Sequence, residues 1–183
     1  MNITVYLASS DGNMPYLAKA AAELGSWIAG RGDTLIYGGS KSGLMGVLAE
    51  SAVKNGGRVI GIEPQVFVDA GYLYDELSEL IVTRDMTERK TKMIEMGDAF
   101  IAFPGGTGTL EEVSEVMSLV SLHWLDAPCI LYDLNGYYEG LRILLERMKE
   151  EGLSSEEKLE GIYFASSISE IKEIIASFEE KKK

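Results

Sequence analysis

The sequence predicts an α/β protein, a doubly wound, three-layer parallel sheet. Two observations predict it. Short apolar runs alternate with amphipathic helical stretches along the chain, and glycines gather where the runs hand over to the helices. Such alternation implies parallel βαβ units and a Rossmann-like outline. No internal repeat, low-complexity segment or interdomain linker interrupts the pattern, so residues 1–183 are expected to form a single Rossmann-like nucleotide-binding domain.

The elements follow in order. "ITVYLA" (3–8) is a strand by its apolar run, and 15–32 is a helix with Pro15 at a favoured first-turn position and glycine near its end. "TLIYGG" (34–39) is a strand, and 44–57 a helix closed by glycines. "RVIGIEP" (58–64) is a strand, whereas 65–79 has no clear pattern. "ELIVT" (79–83) is a short strand and "MTERKTKMIEMG" (86–97) a helix. "AFIAFP" is the next strand, followed by a helix from Thr109 to about Leu122. "PCILYD" (128–133) is a strand, 137–152 a long amphipathic helix, and the last helix opens at Ser167 or Ser169.

Composition narrows the function. The chain is 46% hydrophobic and 25% charged, ordinary for a soluble protein. One cysteine, Cys129, allows no intramolecular disulfide, and no apolar stretch reaches membrane-spanning length; a cytoplasmic location without membrane association is expected. The net charge of −12 argues against a nucleic-acid partner. It would also repel an anionic ligand, so a bound phosphate needs local donors such as backbone N–H groups, a helix N-terminus or a few placed cations.

In a sheet of this kind, ligands bind outside the carboxyl ends of the strands. "ASSDGN", "GGSKSG", the segment around "TRDMTERK" and "PGGTGT" are therefore the loops of interest. "YGGSKSGLMG" (37–46) is neither a Walker A loop nor a clean dinucleotide fingerprint, and its glycines also suit a tight strand-to-helix turn. "PGGTGT" carries a stronger signal. Gly105, Gly106 and Gly108 let backbone N–H groups converge, Thr107 and Thr109 add hydroxyls, and the following helix adds its positive dipole end. Two readings of "TLEE" (109–112) stand side by side. Thr109 and Glu112 form a capping box, or Glu112 is a catalytic carboxylate beside a phosphate cradle. Glu111 reads as dipole compensation on a solvated face. Arg89 has a bland alternative too, as a surface arginine within a Glu88–Lys92 ion-pair pattern.

These motifs carry a resemblance. "PGGTGTLEE" matches P-G-G-x-G-T-x-x-E, the signature of the LOG (Lonely Guy) family, long misannotated as lysine decarboxylases. "GGSKSGLMG" resembles the family's G-G-G-x-x-G-L-M-G, "MTERKTKM" its M-H-E-R-K-x-x-M, and "LASS" its C-G-S-S. "LHWLDAPCILYDLNGYY" is similar to its L-G-x-H-x-K-P-V-x-L-L-N-x-x-G-Y-Y. The likeness runs from about residue 3 to 150 in the family's order. It implies a nucleoside 5′-monophosphate phosphoribohydrolase, in which water cleaves the N-glycosidic bond of AMP or a cytokinin riboside 5′-monophosphate. The products are the free base and ribose 5-phosphate. It implies Arg89 and Glu112 as the catalytic pair, and Gly105, Gly106, Thr107, Gly108 and Thr109 as the phosphate loop. Gly39, Gly43, Met45 and Gly46 would line the pocket, with Ser9, Met86 and Lys90 as further substrate contacts. It implies no cofactor, no metal and a homodimer. The sequence departs from the family pattern at Thr87 (usually histidine), Ser40 (usually glycine) and Asp11 (usually proline).

Other chemistries are disfavoured. His123 is the only histidine, which excludes multi-histidine metal clusters, and its place at a helix end suits a structural or substrate-adjacent role. Cys129 lies in an apolar strand as a small core residue. Asp98 lines the pocket or merely punctuates the chain. Met86, Met93, Met96 and Met117 read as helix-face packing or a dimer surface ahead of a base-binding box. No arrangement of a Schiff-base lysine with a pyridinium partner supports a lysine decarboxylase. The runner-up to the hydrolase is a non-catalytic carrier or sensor holding a nucleotide or phosphorylated cofactor in the same cradle.

Overall fold

A computed structural model describes residues 1–182. The fold is α/β with seven strands flanked by helices, the class expected from the alternation. The chain divides into two compact units, Met1–Asp98 and Ala99–Lys183.

The first unit contains β1 (Asn2–Tyr6), α1 (Pro15–Gly30), β2 (Thr34–Tyr37), α2 (Gly43–Lys54), β3 (Arg58–Pro64), α3 (Gln65–Asp69), β4 (Glu79–Thr83) and α4 (Met86–Met96). Its strands run in the order β4-β3-β2-β1, each pair parallel, with Ile3 opposite Leu35, Ile36 opposite Ile60 and Ile62 opposite Ile81. Strands buried on both faces need continuous apolar runs, which is why "ITVY" and "LIY" are legible in the sequence. Helix α1 packs on α2 at Gly25, where a Cβ would overlap the Leu48 carbonyl. The Thr4 hydroxyl donates to the Met93 carbonyl at 3.1 Å and ties α4 to β1.

The second unit contains β5 (Ala99–Ala102), α5 (Thr107–Ser121), β6 (Cys129–Tyr132), α6 (Glu139–Glu150), α7 (Glu156–Leu159), β7 (Ile162–Ala165) and α8 (Ile168–Lys181). Its strand order is β5-β6-β7, again parallel, with Ile101 opposite Ile130 and Leu131 opposite Phe164. Phe103, at the end of β5, meets Tyr132 edge-on with ring centroids 5.6 Å apart.

Several boundaries move inward. The strand expected over 34–39 stops at Tyr37 because Gly38 and Gly39 turn away, Gly39 at φ +83°. The helix expected to reach residue 57 ends at Lys54, and Gly56 (φ +74°) donates to the Val53 carbonyl. α3, α7 and β7 had no sequence assignment. The β7 run "IYFA" is short and its first three residues are only half-buried, so it lacks the long apolar signal of the central strands. No helix among the described residues is long and apolar enough to cross a membrane.

Candidate functional site

In the first unit, the carboxyl ends of β1, β2 and β3 surround a cavity of about 380 Å3. Ser9 follows β1, Gly38, Ser40 and Ser42 follow β2, and Glu63 closes β3. Met86 and Arg89 enter from the first turns of α4.

Arg89 is 5% exposed, so the surface-arginine reading fails. Its Nε donates to the Ile62 carbonyl at 3.0 Å, and its Nη1 lies 4.0 Å from the Met86 sulfur. A Cβ at Gly38 would overlap Nη2 of Arg89, so that glycine makes room for the guanidinium. The charged residues around it pair elsewhere. Glu88 bonds Arg84, and Lys92 bonds Glu95. Asp85 caps α4 by accepting from the Glu88 N–H, while Glu88 accepts from the Arg84 N–H. The helix start is therefore held by Asp85 on the Glu88 N–H and by Glu88 on the amide just before the cap.

The second glycine loop behaves differently from its expectation. Ser9, Met45 and Met86 line the cavity, but Gly39, Gly43 and Gly46 do not. A Cβ at Gly43 would overlap the backbone of Ser9 and Ser10, and one at Gly46 the Lys41 carbonyl. The Leu44 and Met45 N–H groups donate to the Ser10 and Ala8 carbonyls at 3.2 Å each, so these first-turn amides of α2 serve packing. Lys90 is half-buried on α4 and is not among the cavity-lining residues.

Three cavity residues escaped the sequence reading: Glu63, Phe67 and Tyr72. The last two lie in 65–79, where no periodicity was legible. Tertiary contacts order that stretch. Lys41 N–H donates to the Tyr72 carbonyl at 2.8 Å, Tyr74 N–H to the Gly39 carbonyl at 3.0 Å, and Ser40 bridges Leu73. Glu63 did leave a signal, a charge at the end of the apolar run that follows Arg58.

In the second unit, β5 delivers the "PGGTGT" loop. α5 starts at Thr107, two residues earlier than expected, with Gly106 as its N-cap. Thr109 is thus inside the helix, buried against Gly105, and the capping-box reading of Thr109 and Glu112 is corrected. Glycine at the cap has no side chain to occupy the first-turn amides. Glu112 is 5% exposed on the inward face of α5, while Glu111 faces solvent. Neither lies in the helix's first turn, so Glu111 is not the dipole-compensating residue expected there.

The loop is held from behind. The Tyr137 hydroxyl donates to the Gly105 carbonyl, and the Tyr138 hydroxyl to the Phe103 carbonyl at 2.8 Å. Asp133 fixes Tyr138 by accepting from its N–H at 2.6 Å, and also accepts from Arg142 at 2.9 Å. A groove of about 380 Å3 borders Gly105, Gly106, Thr107, Leu110 and Tyr137. At Gly106 and Gly108 a Cβ would meet open space, and neither has a positive φ. Nothing in the fold therefore requires glycine there, whereas a ligand approaching the backbone would.

The remaining candidates are structural. His123 is exposed at φ 54° after α5 and donates its N–H to the Val120 carbonyl. It borders a different cavity, of about 490 Å3, beside Pro128 and Gly161 at the amino ends of β6 and β7. That position is remote from the carboxyl ends where substrates bind in this fold, so the substrate-adjacent reading is dropped. Asp98 punctuates: it accepts from the Asn2 N–H at 2.7 Å at the start of β1. Cys129 is fully buried, and burial pushes its thiol pKa up to about 12.

A family model described as "possible lysine decarboxylase" matches residues 45–175. Cytokinin riboside 5′-monophosphate phosphoribohydrolase LOG1 of Arabidopsis thaliana is 39% identical over 170 residues, covering 92% of this chain and 79% of the relative. A cytokinin riboside 5′-monophosphate phosphoribohydrolase of Rhodococcoides fascians is 40% identical over 152 residues, covering 82% and 77%. Among solved structures, the molybdenum cofactor binding protein of Rippkaea orientalis superposes with a TM-score of 0.69 at 26% identity, covering 96% of this chain and 95% of the other.

Proposed function

The chain belongs to the LOG family, and from that premise we propose that it is a nucleoside 5′-monophosphate phosphoribohydrolase. Water adds at C1′ of the ribose, the C1′–N bond breaks, and the base leaves with a proton, giving free base and ribose 5-phosphate. AMP and cytokinin riboside 5′-monophosphates belong to the substrate class, as in the names of the relatives. Residues 1–183 act as one nucleotide-binding domain, cytoplasmic and homodimeric, with no cofactor.

One observation carries the reading. Arg89 and Glu112, which the family resemblance marks as the catalytic pair, are both 5% exposed in a protein of net charge −12. Burying an ion costs on the order of several kcal/mol before its contacts repay it. Burial takes Arg89 off the surface, and the earlier start of α5 takes Glu112 out of the cap position. The transition state resembles an oxocarbenium ion, as in O-glycoside cleavage. Glu112 stabilises the developing positive charge or orients the attacking water. Arg89 shares its cavity with Met45, Phe67, Tyr72 and Met86, walls suited to a base. Of its conceivable roles, hydrogen bonding to the departing base therefore fits best. Gly105 to Thr109 hold the phosphate through first-turn amides and the positive end of the α5 dipole.

The test is release of free base, followed by chromatography, from AMP and GMP beside the corresponding nucleosides and triphosphates. Base from monophosphates alone is expected. Glu112→Ala and Arg89→Ala, verified as folded, should each lower kcat by about 10²–10³-fold or more. Full activity in either variant would sink its catalytic role. The second reading, a carrier, is favoured by the 26% identical molybdenum cofactor binding protein. Tight nucleotide binding with no base released from any monophosphate would select it.

The homodimer draws support from apolar side chains left exposed on α5 and the turn after it: Leu110 (46%), Leu122 (54%) and Trp124 (77%). Light scattering should give twice the 20.0 kDa chain mass, and Leu122→Asp with Trp124→Asp should halve it. A monomeric wild type would overturn the assignment.

A further inference from the structure

Glu63 is a buried carboxylate. It sits in β3 among Ile60, Gly61 and Ile62, is 5% exposed, and lines the same cavity as Arg89. It caps no helix, since Pro64 is the N-cap of α3. Its side chain is backed by Gly39, where a Cβ would come within 3.2 Å of both Glu63 Cβ and Oε2. The absence of a side chain at Gly39 therefore leaves the room that the carboxylate occupies. Beside it, the Tyr37 phenol stays protonated, first through burial and second through the charge of Glu63.

The cavity thus has apolar walls at Met45, Met86, Phe67 and Tyr72, one anionic group and one cationic group. An ionised carboxylate only accepts hydrogen bonds, but it offers about four lone-pair positions, so contacts within the protein leave capacity for a ligand. A guanidinium only donates. A base that satisfies both must present donors on one edge and acceptors on another. Guanine does so: N1–H and the 2-amino group are adjacent donors, and O6 and N7 are the acceptors that arginine pairs with. Adenine sets its 6-amino donor beside the N1 acceptor, whose lone pair would face the second carboxylate oxygen.

We propose that Glu63 selects the base, accepting from an edge with two adjacent N–H donors and so favouring guanine over adenine among nucleoside 5′-monophosphates. This rests on the reading of the cavity as the base pocket of a monophosphate hydrolase.

The experiment compares GMP and AMP on wild type and Glu63→Gln, by calorimetric binding and by release of free base. Wild type should prefer GMP by about tenfold to a hundredfold in Kd and in kcat/KM, the range of one good bidentate contact. Glutamine presents one donor and one acceptor, complementary to adenine. Glu63→Gln should therefore reverse the preference and improve AMP in absolute terms, a gain that a damaged fold would not produce. A wild-type preference for AMP overturns the proposal. So does an equal loss for both nucleotides in Glu63→Gln, which would mark a ribose contact or a packing role. Glu63-dependent guanine preference in binding with no base released would leave the base selection standing and sink the hydrolase. Base release from both nucleotides at a ratio unmoved by Glu63→Gln would sink the selection alone. No binding of either nucleotide would sink both.

Discussion

At the scale of single residues, two glycines make opposite predictions from the same substitution. Gly38 abuts the Arg89 guanidinium, so Gly38→Ala must displace that group. A shift of an ångström or so at a reacting centre costs about 10²-fold in rate, and kcat for base release should fall accordingly while the protein stays folded. Unchanged kcat would mean that Arg89 is not positioned by that contact. Gly106 has open space where a Cβ would stand, and its φ of −86° suits alanine. Gly106→Ala should leave thermal stability unchanged within about 0.5 kcal/mol yet raise KM for monophosphates, because the methyl fills space a phosphate would need. An unchanged KM would remove this glycine from the phosphate loop. Sequence spacing alone did not separate the two kinds of glycine. Both sit in glycine-rich turns after strands, and only their neighbours distinguish them.

At the scale of elements, α4, α7 and α8 open with a side-chain cap, whereas α5 does not. In α4 and α8 the N-cap side chains of Asp85 and Ser167 accept from the Glu88 and Glu170 N–H groups, while those glutamates accept from the residue before the cap, Glu88 from the Arg84 N–H and Glu170 from the Ser166 N–H and hydroxyl. Hydrogen bonds from the Arg84 backbone lead the causes that lower the pKa of Glu88, and those from Ser166 do so for Glu170. A carboxyl whose folded pKa lies below its unfolded value adds stability above the unfolded pKa and loses it as pH falls through the folded one. Amide exchange at Arg84 and Ser166 should therefore accelerate, beyond the intrinsic pH effect, as pH drops below the ordinary carboxylate range. Protection that persists at pH 2 would contradict the caps. α5 has only Gly106 at its start. Its T-x-x-E string resembles a cap in sequence because a capping box is a spacing, and spacing does not say where a helix begins. The close approach of Thr109 to Gly105 and the tyrosine bonds to the preceding loop accompany an earlier start.

At the scale of the whole molecule, a net charge of −12 opposes the approach of a dianionic monophosphate. Salt screens that repulsion, so kcat/KM for a monophosphate should rise by about two- to fivefold between 10 and 150 mM ionic strength, with no such rise for an uncharged nucleoside analogue. A fall with salt would mean that the local positive groups dominate steering. The α/β class, the central strands and the motif-bearing loops are legible in the sequence alone. Those features depend on local periodicity, glycine placement and apolar runs, all of which are written along the chain. The sequence also singled out Arg89 and Glu112, through motifs rather than geometry. Tertiary structure decided the rest. It buried Arg89 while its helix neighbours paired among themselves, turned Gly43 and Gly46 into packing contacts, and moved the start of α5 ahead of Thr109. It also folded the patternless 65–79 segment against the glycine loop, bringing Phe67 and Tyr72 beside Glu63 in one cavity. Burial and contact depend on residues distant in sequence, and a charge in a strand shows its purpose only once its neighbours are known.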